Sequence, residues 1–383
     1  QNVVVKLNYI LLLFALLFSV LLISKTHEDF NSYHLFSISE LFNNSLRIGI
    51  SKLNMYYMHS SLLTLNQALT VFPYLNFKII HLPIFIIYLS VLGYFSKVAF
   101  SNNLRTNELF FSIFCIFILL VKFNRLSEFG YDYISQFILL IIFHKIYFLN
   151  SNKYELIKAI LYFFLCVLIK PVSLLFSPIL LFIFYKNGLS FFKTISFSKY
   201  ILFSLLLLTL FSSSFTKTGC LFYPINSSCF SKEQIFWSEK GSLQSYSRIV
   251  ELWAKSYDAQ IKSKNKKIEN SNLYLQKFNW FKFWIEYHFF YKIFEFLLIT
   301  FTTILLIYFY FVKLKKKVDE QNKDKNVILF LSLLSILFWL NTVPQFRFGF
   351  SSILIFIFIF FSIFLNLNIN FSKKKIIHIL IFG

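Results

Sequence analysis

Residues 350–365 read FSSILIFIFIFFSIFL, without one charged side chain. A run of that kind has no wet face, so it suits a helix in lipid rather than on a soluble surface. Nine further apolar stretches resemble it, over 7–24, 79–96, 109–121, 133–149, 157–169, 172–185, 200–215, 289–312 and 327–341. Several are shorter than the ~20 residues of a straight span and must borrow flanking positions. The predicted fold is therefore all-α, a polytopic transmembrane bundle of about ten spans in one integral membrane domain over 1–383. Lys170-Pro171 splits two of the stretches, because proline breaks the helix ladder and lysine prefers an interface.

Composition agrees with that reading. Of 383 residues, 57% are hydrophobic and 14% charged, with mean hydropathy +0.65. A soluble domain carries about 25% charge. The gap excludes an ordinary cytosolic enzyme, a disordered regulator and a soluble nucleic-acid binder. The net charge of +21 does not reverse this, since only Arg47, Arg105, Arg125, Arg248 and Arg347 are arginines. The lysines lie scattered between apolar runs and form no stripe, so no nucleic-acid partner is expected. Joint abundance of Phe, Tyr, Ile, Asn and Lys is also what an AT-rich genome encodes.

Lysine placement orients the chain. With the N-terminus inside, inner loops hold Lys97, Arg105, Lys153, Lys158, Lys186, Lys193 and Lys199, then the 313–325 cluster and Lys373–Lys375. The first stretch reads as a retained span and 376–382 as the start of a cut-off helix. Two long segments then fall outside, 25–76 and 216–287. Most carboxylates fall there too, so any chemistry is expected on that face.

Each outer segment is expected to carry an amphipathic helix. Leu35, Ile38, Leu41 and Phe42 recur at helical spacing in the first. Leu243, Tyr246, Ile249, Val250, Trp253 and Tyr257 do so in the second. Trp237, Trp253, Trp280 and Trp284 suit a headgroup layer. Cys115 and Cys166 sit in spans as small apolar residues. Cys220 and Cys229 share an exported loop, where a disulfide is favoured over two free thiols.

Candidate chemistry concentrates in three places. His27-Glu28-Asp29-Phe30-Asn31-Ser32-Tyr33-His34 puts two acids and two imidazoles at the membrane surface. A carboxylate there could act as general base, made more basic by low dielectric. His27, Asp29 and His34 could instead hold a divalent metal, the only cofactor the residues suggest. The acids could also pair structurally with Arg47. Pro344-Gln345-Phe346-Arg347-Phe348 sets a rare guanidinium at the mouth of the bundle, suited to a phosphate, with Lys170 on the same side. Glu295 is an acid inside a span, with Lys292 three residues earlier as its possible structural partner. No Walker loop, nucleophile elbow, zinc helix motif or dinucleotide fingerprint occurs.

The acidic motif after the first span, followed by more spans and a second outer segment, resembles the GT-C superfamily of polytopic glycosyltransferases. Three segments are similar to a bacterial membrane family of unknown function linked to surface-polysaccharide genes. They are 27–34 with Ser60-Ser61, Gly219-Cys220-Leu221-Phe222-Tyr223-Pro224 with Cys229, and 344–348. The resemblance implies transfer of a sugar from a polyprenyl-phosphate donor to a glycan or lipid acceptor, on the outer face of the bacterial cytoplasmic membrane. Carried over, Asp29 is the base with Glu28 as its understudy. Arg347 and Lys170 hold the donor phosphate, and His34 and Arg47 complete the binding set. The adjacent acids depart from the superfamily's acid-x-acid spacing, which leaves the base and any metal unassigned between them. A transporter or flippase of a lipid-linked saccharide, relying on Glu295, and a non-catalytic assembly protein are the alternatives.

Overall fold

The computed structural model describes residues 15–23, 29–44, 47–59, 61–71, 79–101, 105–127, 131–188, 191, 195–262, 268–312 and 322–364. Those residues are helical, with no strand among them; the one β-bridge joins Cys220 and Cys229. The main helices are α1 (Leu35–Asn43), α2 (Leu62–Val71), α3 (Leu82–Ala99), α4 (Thr106–Val121), α5 (Tyr131–Phe148), α6 (Lys153–Ile169), α7 (Ser177–Asn187), α8 (Phe197–Thr218), α9 (Lys240–Ala254), α10 (Glu295–Val312), α11 (Asn322–Thr342) and α12 (Phe346–Phe364).

Five described helical stretches are long and apolar enough to cross a membrane: Leu82–Ala99, Phe197–Thr218, Ser271–Tyr308, Asp324–Thr342 and Phe346–Ile363. Leu62–Val71, Asn107–Val121 and Pro171–Asn187 are shorter apolar helices. Apolar side chains stand exposed along these stretches, among them Leu205 and Leu208 on α8, Leu306 on α10, and Phe330 and Leu337 on α11. Water would penalise such faces; lipid does not.

Helix α5 is the axis of the bundle. It packs on α3, α6, α7 and α12, and nearly all of its residues are buried, polar ones included. A helix buried all round must satisfy each polar side chain internally. Gln136 Nε2 donates to the Phe348 carbonyl at 3.1 Å, and its Oε1 accepts from Ser351 Oγ at 2.7 Å. His144 meets Tyr94 Oη at 2.8 Å and Glu108 at 3.1 Å. Lys145 pairs with Glu155. Helix direction then sorts the charges. Asp132 begins α5, Lys170 follows α6, and Arg347 begins α12, so these three share one end. Lys145, Glu155, Lys186 and Asp324 mark the opposite end, with Lys186 and Asp324 2.6 Å apart. Eighteen-residue α5 separates the two by roughly 27 Å.

Several expectations are met in modified form. Pro171 does interrupt the apolar run: α6 ends, Lys170 is extended, a 3₁₀ turn covers Pro171–Phe176, and α7 follows. The amphipathic helix of segment 25–76 is α1, with Ile38 buried and Phe42 on the exposed side. That segment also contains α2. In segment 216–287, α9 carries Leu243, Tyr246 and Trp253, but Tyr257 lies beyond it because Ser256 takes φ 67° and ends the face. The end drawn at 287 falls inside a helix, since after a kink at Lys277 and Phe278 the chain is helical from Asn279 to Val312, with a π-helical stretch over Ile285–Phe294. Trp280 and Trp284 are buried rather than set in a headgroup layer; Trp284 packs on Trp339 at 5.9 Å.

Candidate functional site

Three cations and acids meet where α5, α6 and α12 share an end. Lys170 Nζ lies 2.9 Å from Asp132 Oδ1, and Arg347 Nε lies 3.1 Å from Asp132 Oδ2. Arg347 Nη1 reaches Asp29 Oδ2 at 3.6 Å. Asp132 is thus the buried centre, its side chain 9% exposed, while Asp29 stands at the rim at 30%. The guanidinium is flanked by the rings of Trp253 at 5.5 Å and Phe348 at 5.2 Å.

Each of the three sequence segments is held here by its own local device. The Pro344–Phe348 turn is clamped through its backbone. Trp284 Nε1 donates to the Pro344 carbonyl and Trp339 Nε1 to that of Gln345, both at 2.8 Å. The Phe346 N–H donates to His288 Nε2 at 3.2 Å. Gly349 follows because a Cβ there would stand 2.6 Å from the Trp339 indole. These bonds fix where α12 starts, and hence where Arg347 points.

The middle segment is built for the same end. α8 stops at Gly219 with φ +72°, and a Cβ at that position would meet the Ser238 backbone at 2.7 Å. Cys220 and Cys229 are bonded as a disulfide. The Tyr223 N–H donates to Ser214 Oγ at 2.8 Å, which turns the phenol inward against His59, ring centroids 5.3 Å apart.

In the first segment a π-helical turn spans Phe30–His34, directly before α1. Such turns re-aim side chains and are frequent at functional sites. Asp29 and Tyr33 are four apart on it and share a face. Tyr33 stacks on Tyr56 with centroids 5.3 Å apart. His34 meets Tyr131 edge-on at 4.5 Å. His59 Nε2 lies 2.8 Å from Tyr246 Oη.

His34, His59, Tyr131, Lys170 and Tyr223 wall an enclosed cavity of about 30 Å³ beneath the ion cluster. That is room for water and little else. Burial, reinforced by the Lys170 charge, holds both imidazoles down to about 3. Both are therefore neutral at pH 7. An unfolded chain would protonate them near 6.5, so stability is full above that pH and declines as pH falls from 6.5 towards 3. The melting temperature of purified protein should fall between pH 7 and pH 5, and fall less in His59→Gln. A parent protein with equal melting at both pH values would show that the imidazoles are not buried neutral.

Not every sequence candidate belongs to this cluster. His27 and Glu28 lie outside the described residues. Arg47 does not meet Asp29: it pairs with Glu40 at 3.3 Å and with Asn44 at 2.7 Å, its side chain 51% exposed. A short helix places Glu40 and Asn44 beside it, whereas Asp29 lies beyond the start of α1. Arg47 is thus held in a surface pair with Glu40, apart from the Asp132 cluster. Glu295 is exposed and forms no ion pair with Lys292 among the described residues. Among those residues no three His, Cys, Asp or Glu side chains are grouped to hold a metal ion. Sequence reasoning missed Asp132, which reads as a countercharge in a short loop, and the tyrosines 33, 131, 223 and 246. Tyr33 and Tyr223 were signalled by their place in two of the three segments and Tyr246 by the predicted amphipathic face; Tyr131 carried no signal.

Comparison with known proteins adds one finding. A family model described as a domain of unknown function (DUF8201) matches residues 2–354. No curated protein and no solved structure matches the chain.

Proposed function

We propose that this chain, which belongs to the DUF8201 family over residues 2–354, is a membrane glycosyltransferase of the GT-C type. It takes a sugar from a polyprenyl-phosphate donor and gives it to a glycan or lipid acceptor on the outer face of a bacterial cytoplasmic membrane. About ten spans with the N-terminus inside put Asp29, Asp132, Lys170 and Arg347 on that face.

One observation carries the reading. Segments 29–34, 219–229 and 344–348 are far apart in the chain, yet Asp29 stands 3.6 Å from Arg347, and Tyr33, His34 and Tyr223 line one cavity with Lys170. Asp29 is the base. It accepts the acceptor hydroxyl's proton as the oxygen bonds to the anomeric carbon, and the carbon–oxygen bond to the lipid phosphate breaks. The departing phosphate keeps the electron pair and its charge is met by Arg347 and Lys170. Among the described residues, acids meet the guanidinium at Nε and Nη1, and Nη2 is the nitrogen assigned to the phosphate. Asp132 touches neither partner; it holds the two cations side by side. A phosphate leaves readily, so positioning and charge supply most of the rate.

The test is mass spectrometry of lipids that copurify with the solubilised protein, wild type beside Asp29→Asn. A polyprenyl-phosphate sugar enriched on the variant and depleted on wild type is expected. An intact lipid-linked oligosaccharide in equal amounts on both would favour transport instead. Ordinary phospholipid alone on both would count against the transferase. The exposed, unpaired Glu295 gives transport no matching intramembrane site.

A further inference from the structure

A second opening adjoins the cluster. Between the Phe30–His34 turn with the start of α1 and the 3₁₀ turns at Ile50–Lys52 and Met55–Met58 runs a groove of about 310 Å³. That is the lower end of ligand-sized clefts. Tyr33, Phe36, Tyr56 and Tyr57 supply rings, and Ser32 and Asn54 supply polar groups. Among the described residues, no charged side chain lines it.

Its walls are fixed. Gly49 N–H donates to the Thr216 carbonyl at 2.7 Å, Ser51 Oγ to that of Lys217 at 2.5 Å, and Lys52 Nζ to that of Phe236 at 2.6 Å. Gly49 has φ +70°, and a Cβ there would overlap Trp237 at 2.6 Å. Segment 216–287 therefore braces segment 25–76. Asn54 Oδ1 accepts from the Tyr56 N–H at 2.9 Å, which holds the Tyr56 ring and leaves the amide Nδ2 to donate. Tyr33 and Tyr56 lie 17° from parallel and make a flat wall. A preformed wall avoids the ordering cost that a loose loop would incur on binding.

Tyr33 belongs to both openings: it lines the groove and the cavity under the ion cluster. Asp29, one turn earlier on the same face, stands 3.6 Å from Arg347. A molecule in the groove would lie against Tyr33, one helical turn from that carboxylate.

We propose that this groove is the acceptor subsite and that its occupant is a neutral saccharide. The inference rests on the transferase reading and sharpens it from a glycan or lipid to a glycan. An uncharged lining suits an uncharged ligand. A sugar ring offers C–H faces to flat aromatics and hydroxyls at its edge, which the tyrosine hydroxyls, Asn54 and Ser32 can meet. An acyl chain would offer the Asn54 amide nothing to accept its hydrogen bond. A phosphate would find no cation until it reached Lys170 or Arg347.

The experiment uses the full chain in phospholipid nanodiscs on an array of neutral and acidic oligosaccharides, followed by Kd measurement for the best binder. At least one neutral oligosaccharide should bind. Tyr56→Ala should weaken it at least about tenfold, and Phe36→Ala, at a rim position 58% exposed and harmless to folding, at least about threefold. No neutral binder, binding of acidic glycans alone, or full affinity in Phe36→Ala would overturn the proposal. So would glycan-independent quenching of a Tyr56→Trp variant by brominated acyl chains, since the groove would then hold lipid. The two readings fail separately. Glycan binding without donor-dependent transfer sinks the transferase alone, whereas transfer with an unchanged acceptor KM in Phe36→Ala sinks the groove alone.

Discussion

Asp132→Ala should be the most destabilising single change at this end of the bundle. Its carboxylate is shared by Lys170 at 2.9 Å and Arg347 at 3.1 Å, and is 9% exposed. Removing one member of a buried pair strands the other, at about 3–5 kcal/mol, because a desolvated charge is left unanswered. Here two cations would be left facing each other. The surface pair Arg47–Glu40 gives the contrast: an exposed pair is worth about 0–1 kcal/mol, so Glu40→Ala should scarcely move the melting temperature. Against a total stability of about 5–15 kcal/mol, the first change is large and the second is noise. The mechanism of the loss is checkable. In Asp132→Asn with Lys170→Met the surplus charge is gone, and Arg347 keeps Asp29; much of the stability should return. A melting temperature unchanged in Asp132→Ala, or unimproved in the double variant, would show that the acid does not tie α5, α6 and α12 together.

The same acid shows where sequence reading stops. The all-helical fold was legible because hydropathy is written locally: 350–365 needs no partner to declare itself. The break at Pro171 was legible for the same reason, since proline's lost N–H acts within one turn. Asp132 carries no such mark. Beside Lys122, Arg125 and Glu128 it looks like one more loop charge. What makes it the centre of a site is Lys170 and Arg347, which arrive only when α6 and α12 pack on α5. Arg47 errs in the opposite direction. A rare arginine near an acidic motif invites pairing, but Glu40 on α1 is within reach at 3.3 Å and takes the guanidinium first. Trp280 and Trp284 err through burial. Amphipathic rings near a span suggest headgroups, yet the helical run from Asn279 to Val312 turns them inward, where Trp284 clamps the Pro344 carbonyl. Asp29, His34 and Arg347 were singled out because acids, imidazoles and guanidinium groups are scarce in this chain, and Lys170 because it stands with Pro171 between two apolar runs. Tyr33, Tyr56 and Tyr223 were not, because tyrosine is common here, with 22 copies.

Asp29→Asn should separate chemistry from folding, which Asp132 cannot. Asp29 stands 3.6 Å from Arg347, with both side chains about 30% exposed. A partly solvated pair at that distance is worth about 1 kcal/mol or less, so the variant should accumulate and melt like wild type. Its turnover should nonetheless fall by about 10²–10⁴, the contribution of a positioned general base. An amide of the same shape cannot take the acceptor's proton. It also removes an anion from beside Arg347, so the donor phosphate should be held at least as well. Binding of donor without turnover is therefore expected, and it explains why a lipid-linked sugar should copurify with the variant. Asp29→Glu keeps the base on a longer arm and should recover part of the rate. Wild-type turnover in Asp29→Asn would remove Asp29 as the base. Loss of the protein itself would mean that the rim acid is structural after all, and that the cluster of Asp132, Lys170 and Arg347 extends further into the fold than its burial suggests.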